Sequence, residues 1–251
     1  MVLITGDTHG AFARLRLVGA AAQRELTRDD YIIICGDFGG IWSGDAKEQK
    51  ALDELAALPY NILFADGNHE NYDLLNSYGI STWHGGKVHF IRDNLIHLMR
   101  GQIYEIGGST FFVMGGAASH DIYDGVLDKD DPEFEKKLLD MQNSWKMFRV
   151  KGVSWWENEM PDASEMAEAW DNLKTHNFDV DYVISHCAPG CIQKDISAKL
   201  MNFSYKPDAL TDFLDKVYAE CRFREWYCGH YHRELEFGNL FVKYSNIKKL
   251  F

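Results

Sequence analysis

The chain has 251 residues, a length that α/β folds often organise as one unit. Hydrophobic residues make up 46% and charged residues 25%, the balance of a soluble globular protein with a large core. The net charge of −12 excludes a broad basic face for gripping a nucleic-acid backbone nonspecifically, though local basic spots and charge brought by bound metal stay open.

The start, MVLITGDTHG, lacks a basic stretch followed by a long apolar run, so no signal peptide is expected. No apolar stretch is long enough to span a bilayer. Residues 2–5 (VLIT) read as a buried strand that ends at Gly6, and residues 11–26 follow with helical spacing. Residues 31–35 (YIIIC) form a second buried strand ending at Gly-Asp. Residues 46–58 form an amphipathic helix stopped by Pro59. Residues 61–65 form a third strand, followed by Asp-Gly-Asn-His. Strand, loop and helix thus repeat, which predicts an α/β beginning with a parallel sheet.

Short strands at 88–91, 95–99, 102–106 and 110–114, with turns between them, predict partly antiparallel pairing. Residues 119–160 carry an acidic run at 128–131 and a helical pattern over 132–145, and read as an insertion or lid. A helix over 162–176, a buried strand over 179–185 and a helix over 209–221 follow, then strands at 225–228, 235–237 and 240–244. With no repeats or low-complexity linkers, residues 1–251 read as a single domain.

The cysteines are Cys35, Cys187, Cys191, Cys221 and Cys228, odd in number and without a CxxC pair. Free, mostly buried thiols in a reduced, cytoplasmic setting are expected. The CxxxC spacing of Cys187 and Cys191 is a weak metal signal beside the plainer reading of two small core residues.

Five segments concentrate metal-ligand residues: Asp7-Thr8-His9, Gly36-Asp37, Gly67-Asn68-His69-Glu70, Ser185-His186 and Gly229-His230-Tyr231-His232. Each follows an apolar strand, and open α/β sheets place ligands at the carboxyl ends of their strands. Aspartate with imidazole suits Mn, Fe, Zn or Ni. A lone histidine is more often a surface or hydrogen-bonded core residue; five of them in this arrangement are not. Glu70 reads as loop support rather than as a ligand. His84, His89, His97 and His176 fit no motif and read as structural or exposed.

The order DxH, GD, GNHE, H, GHxH, running from Asp7 to His232, resembles the calcineurin-like metallophosphoesterases. The resemblance implies two packed mixed β-sheets flanked by helices, an α/β/β/α sandwich. It implies a binuclear metal-dependent phosphoesterase that cleaves a phosphomonoester or phosphodiester by attack of a metal-bridging hydroxide. Asp7, His9 and His232 would hold one metal, Asn68, His186 and His230 the other, and Asp37 would bridge them. His69 would contact the phosphate or protonate the leaving group. Mn is the expected metal, with Fe, Zn, Ni or Mg accepted by the same ligands. Substrates would be small phosphate esters or short nucleic acids; a nuclease is the alternative, and a silent metal-bound binding module the more distant one. Nothing in the sequence fixes the oligomeric state.

Residues Gly115 to Asp121 resemble a GGAxSxD stretch of some bacterial and phage-type members, and Val153 to Glu159 partly match their downstream WWxxE element. His120 and Asp121 are therefore expected to line the substrate pocket, while a plain tight turn fits them equally well. Trp155 and Trp156 suit base stacking less well than core packing. The protein-phosphatase branch of the family continues its GD motif as GDxVDRG, whose arginine grips phosphate. Residues 36–42 here read GDFGGIW, without that arginine, which argues against a phosphoprotein substrate.

Overall fold

Side chains alternate between the two faces of a strand, and here both faces are apolar, so each strand must be covered on both sides. In the computed structural model, which describes residues 1–18, 24–200 and 205–251, three hydrophobic layers result. The strands β1 (Val2–Thr5), β2 (Tyr31–Ile34) and β3 (Asn61–Phe64) run parallel. Val2, Ile4, Ile33 and Leu63 face a second sheet. Leu3, Ile32, Ile34, Ile62 and Phe64 face the helices α1 (Ala13–Arg16) and α2 (Ala46–Ala56), where they meet Leu15, Leu52 and Leu55.

Among the described residues the first sheet has seven strands. It is extended by β6 (Leu95–Leu98), parallel to β3, then by the antiparallel β5 (Gly86–Arg92) and β4 (Ile80–Trp83), with β15 (Lys248–Lys249) beside β1. The second sheet has six. Its centre is the parallel trio β8 (Ser109–Met114), β11 (Tyr182–Ser185) and β12 (Glu225–Cys228). Antiparallel β7 (Gln102–Ile106) and the pair β14 (Leu240–Val242) and β13 (Leu235–Phe237) form its edges. Phe112, Val183 and Trp226 on its outer face pack with α5 (Ala163–Thr175), α6 (Gly190–Leu200) and α7 (Ala209–Glu220). This is the expected sandwich of two mixed sheets between helices.

The predicted strands appear with ends shifted by a few residues, as end fraying dictates. Of the helix expected over 11–26, Ala13–Arg16 is helical, and residues 19–23 lie outside the described residues. Helix α6 and the one-turn α3 (Tyr72–Leu75) carry no expectation from the sequence. The reading of Cys187 and Cys191 as two core residues is corrected: Cys187 is buried, but Cys191 opens α6 and is exposed. All five cysteines are free.

Residues 119–160 contain β9 (Val126–Leu127) paired in parallel with β10 (Arg149–Val150), the helix α4 (Phe134–Asn143) and a 3₁₀ turn at Glu157–Glu159. Helix α4 buries none of its residues. The segment is tied down where it rejoins the core. Arg100 Nη2 donates to the Asn158 carbonyl at 2.7 Å, and Trp156 Nε1 donates to Asp73 at 2.8 Å. Trp156 is buried edge-on to Trp42, so it serves packing and not base stacking.

A buried polar pair in the first sheet carries a pH prediction. His89 and His97 face each other at 3.1 Å (Nδ1 to Nδ1), and His97 Nε2 lies 3.2 Å from Asp66. Burial, reinforced by the neighbouring His97, pushes the His89 pKa from 6.5 down to about 4. The unfolded chain therefore takes up the proton first. The stabilising effect is full above pH 6.5 and is lost as the pH falls toward 4. The urea midpoint should drop between pH 7.5 and pH 5, and His89→Gln should flatten that drop. Equal pH dependence in the two proteins would contradict it.

Candidate metal centre

The parallel strands of both sheets end on one edge. Loops after β1, β2 and β3 carry Asp7 and His9, Asp37, and Asn68 and His69; loops after β11 and β12 carry His186, and His230 and His232. Hydrogen bonds then lock loop to loop. The amides of Thr8 and His9 donate to the Asp37 carbonyl at 3.0 and 2.8 Å. The His230 amide donates to Asp7 Oδ1 at 2.9 Å, and the His69 amide to Asp37 Oδ1 at 2.8 Å. Glu70, fully buried, accepts from the Phe38 amide at 2.7 Å and supports the Asp37 turn, as its reading as loop support requires.

Four of the converging residues, His9, Asp37, His230 and His232, have positive φ (46°, 48°, 70° and 50°). Left-handed backbone costs a non-glycine residue roughly 1–2 kcal/mol, and strain of this kind collects at functional sites.

The side chains form two adjoining groups. Asp7, His9, Asp37 and His232 bring one ligand atom each within 4.8 Å of one another, an arrangement able to hold a metal ion. His9 Nε2 and His232 Nε2 stand 2.9 Å apart, and His232 Nε2 is 3.1 Å from Asp7 Oδ2. In the second group, Asn68 Oδ1 lies 3.2 Å from His186 Nε2 and 3.1 Å from His230 Nδ1. Asp37 lies between the groups. Its Oδ2 is 3.6 Å from His9 Nε2, and its Oδ1 is 3.3 Å from His186 Nε2. The first group is open to solvent through His9 and His232, whose side chains are 29% and 45% exposed, while His186 is fully buried.

Electrostatics decide what such a cluster can hold. The His186 Nδ1–H donates to the Cys35 carbonyl at 2.8 Å, which leaves the Nε2 lone pair facing Asp37 and Asn68 oxygens. Acceptors converge on acceptors, and only positive charge between them relieves that. Without a cation, protons take the part. Despite burial, which acts the other way, Asp37 and Asp7 drive the His186 pKa up to about 10. A hydrogen bond to Asp7 raises that of His232. Conversely, His186 holds Asp37 down at about 2 against its burial. Burial keeps His230 down at about 3, neutral and free to donate a lone pair. Oxygen and imidazole donors, two of them buried carboxylates, fit hard or borderline divalent cations.

Around this set lie groups from the 115–121 and 153–159 stretches, and Arg149, which no motif signalled. Asn68 Nδ2 donates to Ser119 Oγ at 3.3 Å, and Ser119 Oγ donates to Glu159 Oε2 at 2.6 Å. This relay turns the Asn68 carbonyl oxygen toward His186 and His230. His69 lies edge-on to His9, and its Nε2 is 3.1 Å from Nη2 of Arg149. Burial, with Arg149 and His9 alongside and Asp37 opposing, lowers the His69 pKa to about 4. His120 lies against His230, ring centroids 5.3 Å apart, and lines a cavity of about 420 Å³ with Ser119, Tyr205 and Lys206. Asp121 faces Arg149 instead, 2.7 Å from its Nη2. A lone arginine in a segment without readable periodicity leaves no sequence signal.

No helix among the described residues is long and apolar enough to cross a membrane. No curated protein matches the chain significantly. The sequence model of the calcineurin-like phosphoesterase family matches residues 1–234, with every converging side chain inside the match. Fold, cluster and match agree: the chain belongs to the calcineurin-like phosphoesterase family, whose members are metal-dependent phosphoesterases.

Proposed function

We propose that the chain is a binuclear metal-dependent phosphoesterase acting on a small phosphomonoester or phosphodiester. The observation that carries this is the split of the Asp37 carboxylate, with one oxygen toward each group of donors. Asp7, His9 and His232 would hold one cation, Asn68, His186 and His230 the second, and Asp37 would serve both. When bound, two divalent ions, Mn foremost and Fe, Zn, Ni or Mg next, supply positive charge for the phosphate and acidify a water for attack near neutral pH.

The chain's own residues do the rest. Asp7 and Asp37 place two negative charges in a buried pocket, which favours divalent over monovalent cations. His69, neutral at pH 7, is suited to hydrogen-bond the phosphate or the leaving group rather than to act as a permanent cation. The 420 Å³ cavity beside His230 has room for a small ester group, with His120 on its wall. A larger hollow of about 660 Å³ lies between α5 and α7 and is lined by none of the converging residues, whereas the smaller one is lined by His230, so the chemistry is assigned to the smaller one.

Residues 1–251 act as one domain in this reading, with 119–160 inserted beside the pocket. Five free thiols agree with a reduced, cytoplasmic setting.

Hydrolysis of p-nitrophenyl phosphate and bis-p-nitrophenyl phosphate by metal-stripped protein, with single metals added back, tests the proposal. Restored cleavage supports it, and the preferred ester separates monoesterase from diesterase. A fluorescent single-stranded oligonucleotide cut in preference to both esters would favour a nuclease. No cleavage with any metal would leave a binding module.

The Ser119 relay gives a separate prediction. Ser119→Ala removes the acceptor that orients Asn68, and Mn affinity should fall about 10- to 100-fold with the fold intact, the range typical of groups that orient metal ligands. Calorimetric Mn titration of the two proteins checks this, and unchanged affinity would contradict it.

A further inference from the structure

Arg149 is the one residue of β10 that reaches His69, and it comes from none of the five motifs. Its side chain is 8% exposed. Asp121 grips the guanidinium edge, Oδ1 at 2.6 Å from Nε and Oδ2 at 2.7 Å from Nη2. Nη1 donates to the Ser154 carbonyl at 2.8 Å, and Ser154 Oγ in turn accepts from the Val150 amide at 2.9 Å. The loop 149–154 is thereby closed around the arginine. The remaining Nη2 contact is the ring of His69, at 3.1 Å.

A buried guanidinium is costly unless anions surround it. One half-exposed carboxylate and an imidazole nitrogen are a thin complement for it. An imidazole nitrogen is a weak acceptor, readily exchanged for a charged oxygen. His69 leads directly to the cluster, since its ring touches His9 and its amide holds Asp37. Arginine presents a rigid planar fork that matches phosphoryl oxygens in pairs, and its charge persists at every working pH. The turn after β2, Phe38-Gly39-Gly40-Ile41-Trp42, carries no cation that could take this role.

We propose that Arg149 is the phosphoryl-oxygen-binding residue of the site, held in aim by Asp121. Bound phosphate takes the N–H that now meets His69. This rests on the phosphoesterase reading and narrows it. A monoester dianion offers the fork more charge than a diester monoanion, so Arg149 biases the site toward phosphomonoesters.

Mn-loaded wild-type protein, Arg149→Ala, Arg149→Met and Arg149→Lys are compared in three readouts: Mn content, binding of inorganic phosphate by calorimetry, and kcat/KM on the mono- and bis-p-nitrophenyl esters. Arg149→Met keeps most of the side-chain volume and guards against a folding defect in the alanine protein. Mn content should stay at the wild-type level in each. Phosphate affinity should fall about 10- to 100-fold in the Ala and Met proteins, the loss of one charge-assisted hydrogen bond. Lysine should recover it in part, as a charge without the fork. Monoester hydrolysis should fall more than diester hydrolysis. Wild-type phosphate affinity in fully loaded Arg149→Met would overturn the proposal, and so would loss of Mn, which would make the arginine a structural support. If variants hydrolyse as well as wild type, Arg149 is excluded and the phosphoesterase reading stands. If wild type hydrolyses neither ester, that reading falls, and phosphate binding still decides the role of Arg149.

Discussion

Asp37→Asn should bind no more than one Mn per chain and lose metal-dependent hydrolysis by at least ~10³-fold, the factor that about 4 kcal/mol of lost charge stabilisation gives. The amide keeps the shape of the carboxylate but not its chemistry. It has a single acceptor oxygen, so it cannot face His9 and His186 together as the two oxygens of Asp37 do. Its NH₂ group would point a donor at a position that calls for a cation. The residue is 1% exposed, so water cannot stand in for the missing oxygen. The fold should survive, because the substitution removes a buried negative charge beside Asp7, whose presence itself works against ionising Asp37. Circular dichroism, Mn analysis and hydrolysis of p-nitrophenyl phosphate check the three parts. Activity above about a tenth of wild type would contradict the role given to Asp37.

Gly36→Ala should be strongly damaging. Gly36 has φ +93°, where side chains are rarely tolerated, and an added Cβ would lie 2.1 Å from His186 Nδ1. His186 cannot retreat, since it is fully buried and donates to the Cys35 carbonyl next to the glycine. Backbone strain and overpacking together should cost about 3–5 kcal/mol, or roughly 10 °C in melting temperature, and should displace His186 enough to abolish hydrolysis. Gly79→Ala is the control: nothing lies within 4 Å of its added Cβ, and its stability should stay within about 0.5 kcal/mol of wild type. Equal melting temperatures for the two variants would show that the contact between the Gly36 loop and His186 is not tight.

The fold was legible where one physical signal dominated. Strands such as YIII and YVIS are apolar on both faces, and a strand buried between a sheet and a helix layer needs that. The convergence of Asp7, Asp37, Asn68, His186 and His230 was legible for a related reason. Each stands close after the end of a strand, and the strands are parallel within their sheets. Helix α6 was missed because its sequence, GCIQKDISAKL, opens with glycine and has a weak apolar stripe, Ile192 and Ile196. Tertiary packing under α7 makes it a helix, more than propensity does.

Residues 119–160 were legible only in part: the helical pattern over 132–145 matches α4, but β9 and β10 are two residues long and have no period to detect. The partnerships that surround the cluster are hidden for a different reason, even where one member, Ser119, lies in a recognisable stretch. Arg149 lies 80 residues from His69 in the chain, and Ser119 lies 51 from Asn68. Such partnerships are set by how loops fold back on the sheet edge, which no local pattern encodes. The positive φ angles of His9, Asp37, His230 and His232 are in the same class, because surrounding contacts impose them.

A binuclear centre is tested most directly by titrating metal-stripped protein with Mn, following hydrolysis of p-nitrophenyl phosphate and bound metal in the same samples. Turnover should rise steeply on filling the second site and level off at two Mn per chain, and in His186→Ala it should stay near zero while one Mn still binds. Turnover that saturates at one Mn per chain, or that persists undiminished in His186→Ala, would contradict a binuclear centre built on Asp37.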